Sequence, residues 1–68
     1  MQLQVELEQE DDGRWIAAVP ALPGVMVYGE TRQTAIARLK SLALRVIADR
    51  IEHGEEVAVA ADAFVVPS

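Results

Sequence analysis

His53 is the only histidine of the chain, and Asp49, Glu52 and Asp62, of the helix and the segment leading into the last strand, are the carboxylates to weigh for acid–base or metal chemistry outside the acidic N-terminal third. A general base or a metal ligand needs convergent partners, and no second histidine or adjacent cluster accompanies His53. Placed at the end of a helix, its imidazole instead suits the negative end of the helix dipole. Two-metal hydrolysis would need acids from several elements converging on ions about 4 Å apart. The helix offers only Asp49 and Glu52, both near its far end, while Asp62 falls in or before the last strand and the first-strand acids occupy a polar face. Ser41, Thr31, Thr34 and Ser68 have no neighbouring base and so form no nucleophile motif. The four glycines make neither a phosphate-binding loop nor a dinucleotide fingerprint, and no cysteine is present to build a thiolate site. The expectation is a protein that is not an enzyme and uses no cofactor or metal.

Charge directs attention to surfaces instead. The net charge of −5 works against non-specific nucleic-acid binding, which requires cations to displace counterions from phosphates. Glu6, Glu8, Glu10, Asp11 and Asp12 crowd the first strand and its turn, whereas five of the six basic residues, Arg32, Arg38, Lys40, Arg45 and Arg50, fall on one helix. This is a solvated acidic edge that could also face a basic partner.

The elements that would carry these groups follow from periodicity. Leu3, Val5 and Leu7 alternate with polar residues as in a strand with one buried face. Asp12-Gly13 marks a hairpin turn, and Arg14 to Val19 returns as a second strand. There Trp15, Ala17 and Val19 share the core face, and Ile16 and Ala18 point away from it. Pro20 and Pro23 cannot donate to a ladder, so the chain leaves the sheet, and Gly24 permits the positive φ of the return. Val25 to Tyr28 reads as a third strand, with Met26 and Tyr28 joining Ile16 and Ala18 in an apolar patch on the outer face.

Thr31 is the expected N-cap of a helix that runs to about Glu52 or His53, where Gly54 fits the terminating position. Ala35, Ile36, Leu39, Leu42, Ala43, Val46, Ile47 and Ile51 form its apolar stripe. Leu44 widens this stripe to roughly 200° of arc, more than docking on one sheet requires. The flanks at Leu42 and Leu44 are therefore expected to meet another subunit. A last strand is expected within Val57 to Val66, with Ala63 to Val66 paired beside the first strand.

The fold class is α+β, in the order β-β-β-α-β: an antiparallel three-stranded meander, a helix on one face, and a final strand returning to the sheet. Residues 1–68 make one domain, close to the size at which a single core needs help. Without cysteines, that help is expected from association into a homodimer or tetramer. No signal peptide or membrane-spanning run is visible, which leads to the expectation of a cytoplasmic protein with no membrane contact.

One signature is more specific than any of this. Gly13, Trp15, Ala17, Val19, Pro20, Leu22, Pro23, Gly24, Gly29, Glu30, Thr31 and Ala35 resemble the HicB-like antitoxin family, which reads roughly G-x-aromatic-x-A-x-V-P-x-L-P-G … G-[DE]-T … A. The resemblance covers about Glu6 to Gly54, and the tail matches only loosely. It implies a partial ribonuclease-H-like sheet and an antitoxin-type binding module. Such a module neutralises a HicA-like toxin, an RNA-cleaving protein with a double-stranded-RNA-binding-like fold, by covering its active site. Pro20, Leu22, Pro23, Gly24, Gly29 and Thr31 carry the signature. The candidate partner or oligomer surfaces are Glu8, Asp11 and Asp12, the sheet residues Ile16, Ala18, Met26 and Tyr28, and the helix residues Leu42 and Leu44.

Three departures from the family pattern stand out. Thr34 occupies a position often held by an acid, Val57-Ala58-Val59-Ala60 replaces a connector often rich in proline, and the sequence ends at Ser68 where many members continue into a DNA-binding domain. DNA binding is therefore not expected. A solitary oligomeric module of the same fold, with another protein or a small-molecule partner, is the alternative expectation.

Overall fold

A computed structural model describes residues 2–56 and 63–67. It contains β1 (Leu3–Gln4), β2 (Glu6–Gln9), β3 (Trp15–Ala18), β4 (Met26–Gly29), α1 (Arg32–Glu52) and β5 (Phe64–Val65). β2, β3 and β4 form an antiparallel meander, and β5 runs parallel to β1. This is the expected α+β order, with the last strand beside the first. The expected start of the last strand at Val57, and Asp62 with it, lie outside the described residues.

The first strand differs from the expectation of one continuous element. It breaks at Val5 because its two halves serve different neighbours. Leu3 and Val5 donate their amides to Ala63 and Val65 at 2.7 and 2.9 Å, while Glu6 to Gln9 pair antiparallel with Ala18 to Trp15.

Register assigns the two faces of the meander. Leu7, Ala17 and Val27 lie across from one another on one face, which packs under α1. Glu6, Ala18 and Met26 form one row of the other face, and Glu8, Ile16 and Tyr28 form the next. The core joins Leu3, Val5, Ala17, Val19, Leu22 and Val25 to Ala35, Leu39, Ala43 and Ile47 of the helix. Trp15 packs against this cluster as a half-buried core residue.

Both helix ends are closed by local chemistry. The Thr31 hydroxyl accepts from the Thr34 amide at 3.0 Å and donates to the Thr34 hydroxyl at 2.9 Å, so a threonine pair stands where an acid would complete a capping box. At the far end, Glu55 donates to the Arg50 carbonyl and Gly54 to that of Ile51, each at 3.0 Å, with Gly54 at φ 93°. That pair of bonds is a Schellman motif.

Two expectations about the helix surface are corrected. Leu42 is half-buried against the core and is no free flank, whereas Ile51, expected in the core stripe, is 50% exposed. Leu42 lies within about 20° of Ala35 around the helix and so turns toward the core, whereas for Ile51 the reason is length. At about 1.5 Å per residue the 21-residue helix spans roughly 31 Å. The four-residue strands span only roughly 13 Å, so the last turn overhangs them.

Candidate interaction surfaces

The signature loop is two consecutive turns sharing one residue. Leu22 donates to the Val19 carbonyl and Val25 to the Leu22 carbonyl, both at 3.0 Å. Pro20 and Pro23 therefore each occupy the second position of a β-turn, which their fixed φ favours. Gly24, at φ 83°, takes the third position of the second turn, the place that demands positive φ in a type II turn. Leu22 is 1% exposed and plugs the core, so it belongs to the packing rather than to a contact surface. Pro20, Pro23 and Gly24 are exposed.

Gly29 and Thr31 lie at the opposite end of β4, next to the helix start. A side chain at Gly29 would put its Cβ 2.4 Å from the Ala35 backbone nitrogen, so glycine is required there for the helix to approach the sheet. The signature residues thus do not converge on one site. They build the connections at both ends of the meander.

Of the acidic candidates, Asp11 and Asp12 sit in the β2–β3 turn. Asp12 accepts from the Arg14 backbone amide at 3.0 Å and from its guanidinium at 2.8 Å. Those two bonds, the amide foremost, hold its carboxyl below the ordinary value of 3.8. Because the group is exposed and already ion-paired, it is a turn-stabilising residue with its own counter-ion. Arg14 also stacks 5.0 Å from the centre of the Tyr28 ring.

Glu6 and Glu8 have a different setting. They border a groove of about 590 Å³ on the outer face of the meander, lined by Ile16, Ala18 and Met26 together with Val5, Leu7 and Pro67. Met26 and Tyr28 are 53% and 42% exposed, while Ile16 and Ala18 are half-buried. The structure therefore brings together Glu8, Ile16, Ala18, Met26 and Tyr28 from the sequence candidates and adds Glu6, Val5 and Pro67. Alternation alone could have supplied Glu6. Pro67 could not have been found that way, because it reaches this face only through the pairing of β5 with β1, where the Arg32 guanidinium donates to its carbonyl.

The remaining candidate, Leu44, is 48% exposed on the solvent side of α1. His53 caps the helix, with its amide bonded to the Asp49 and Arg50 carbonyls at 3.1 and 3.2 Å and its Nδ1 2.7 Å from the Asp49 carbonyl. Among the described residues, no three His, Asp or Glu side chains meet as a metal-binding group, and no polar or charged side chain is buried. No helix among them is long and apolar enough to cross a membrane.

Fold and surfaces together define a small α+β domain with an acidic-rimmed apolar groove on its sheet and a separate apolar face on its helix. A UPF0150 protein of Thermoplasma acidophilum is 30% identical to it over 57 residues, 84% of this chain and 83% of that one. The chain belongs to the UPF0150 family. No family model matches the sequence, and no solved structure matches it.

Proposed function

We propose that this chain is an antitoxin-type protein-binding module that neutralises a HicA-like RNA-cleaving toxin by covering its active site with the outer sheet face. The observation that carries the reading is the groove over Ile16, Ala18 and Met26 with Glu6 and Glu8 along its border. A surface that cleaves RNA must be basic to hold phosphates, and the carboxylates of Glu6 and Glu8 complement it in sign beside an apolar floor that a partner can cover. The HicB-like signature and membership of UPF0150, a HicB-like family, support the same reading. Neutralisation needs no chemistry from the module itself, only occlusion, and it would take place in the cytoplasm where the toxin's substrate is found.

The test is co-expression with the product of the adjacent gene, read by co-purification and by rescue of growth. Both are expected, and Glu6→Lys combined with Glu8→Lys is expected to abolish rescue while leaving the thermal midpoint of the isolated protein unchanged. Co-purification and rescue that survive the double charge reversal would show that the groove is not the contact. The second reading, a solitary oligomeric module with another partner, draws on the exposed apolar residues Leu44 and Ile51 of α1. Failure of both co-purification and rescue would favour it.

A further inference from the structure

Two apolar lines run along α1, and the described residues cover one of them. Ala35, Leu39, Ala43 and Ile47 face the sheet. Ala37, Ser41, Leu44, Ala48 and Ile51 are all exposed, and they recur at alternating intervals of four and three residues. That alternation is the heptad spacing of a helix–helix seam. At 100° per residue this second line lies roughly 150° around the helix from the first, turned away from the sheet. Its members are small at Ala37, Ser41 and Ala48 and large at Leu44 and Ile51, which lets a neighbouring helix approach to about 8 Å.

The charges of α1 run against its own dipole. From Arg32 to Arg45 there are four cations and no acid. Beyond Arg45 come Asp49 and Glu52, followed by Glu55 and Glu56, with Arg50 as the one cation. A lone helix is favoured by the reverse order, acids at its N-terminus and cations at its C-terminus. An antiparallel neighbour carrying the same sequence turns this order to advantage, because each basic half then lies against an acidic half.

We propose that this stripe is the seam of a homodimer in which α1 of two copies packs antiparallel, with the two-fold axis passing near Leu44. Ala37 then lies opposite Ile51 of the second copy, small against large, while Ser41 lies opposite Ala48 and Leu44 packs against its own equivalent at the centre of the seam. A parallel arrangement would bring basic half onto basic half. From Ala37 to Ile51 the seam is about 21 Å long, which places the dimer at the small end of stable interfaces and makes it reversible. The seam lies on the opposite side of the fold from the sheet groove, so it stands or falls independently of the antitoxin reading.

The chain contains no cysteine, which permits a direct test by crosslinking. Ser41→Cys and Ala48→Cys change only exposed positions of the seam. Oxidation of the two variants mixed is expected to give several-fold more crosslinked dimer than oxidation of either alone, since like positions would be separated by more than the ~7 Å that a disulfide tolerates. In sedimentation the unmodified protein is expected to be dimeric at about 100 μM and Leu44→Glu monomeric, with an unchanged far-ultraviolet circular dichroism spectrum showing that the monomer stays folded. Preferential crosslinking of like positions, a monomeric unmodified protein, or an intact Leu44→Glu dimer would overturn the proposal.

Discussion

A methyl group added at Gly29 would meet the backbone nitrogen and Cα of Ala35 at 2.4 and 2.7 Å, atoms that no rotamer change can move aside. At Gly24 the surroundings are open, and the restriction comes from φ 83° alone. The two glycines of one signature are thus required for different reasons, one for space and one for backbone geometry. Gly29→Ala is expected to cost about 1–3 kcal/mol by forcing the helix away from β4. Gly24→Ala is expected to cost about 1–2 kcal/mol by strain confined to the turn, and Gly24→Val more, since a β-branched side chain tolerates the left-handed region least. Thermal melts of the three variants check the magnitudes. Near-ultraviolet circular dichroism separates the causes, since only Gly29→Ala should disturb the environment of Trp15, which lies across from Gly29 in the ladder.

Among the elements, the signature loop shows why sequence reading found the fold more readily than the surfaces. Pro20, Pro23 and Gly24 announce turns through properties of single residues, and the structure places turns there. The role of Leu22 depends on what lies beneath it, which no local pattern displays. Its burial makes Leu22→Ala a test of the loop as a structural unit. A loss of about 2–5 kcal/mol is expected on denaturant titration, whereas a loop that merely decorated the surface would lose almost nothing. For the helix, periodicity located its span and both caps, yet it merged two apolar lines into one wide arc. The angle around the helix, close to that of Ala35, carried Leu42 to the core, and the length of the sheet left Ile51 on the surface. The break at Val5 was equally hidden, because alternation through Leu3, Val5 and Leu7 is unaffected by a change of pairing partner. Charge patterning pointed to Asp11 and Asp12 as readily as to Glu8. In the folded turn Arg14 already holds Asp12, a pairing that charge patterning does not display.

At the scale of the whole molecule, the division of the first strand governs the order in which structure can assemble. The β2–β3 hairpin, the β3–β4 turns and the helix packed on them are all built from segments close together in sequence. The β1–β5 pair instead joins Leu3 to Phe64 and Gln4 to Val65, near the two extremes of the described chain. Closing so long a loop carries an entropy cost that only a few contacts offset, and such pairings tend to form after the main folding barrier has been crossed. Phe64→Ala is therefore expected to accelerate unfolding while leaving the refolding rate nearly unchanged, a result read directly from the two arms of a chevron plot. Equal slowing of refolding would place β5 within the nucleus. The parallel pair thereby acts as a late-closing latch, setting how long the folded state persists rather than how quickly it is reached.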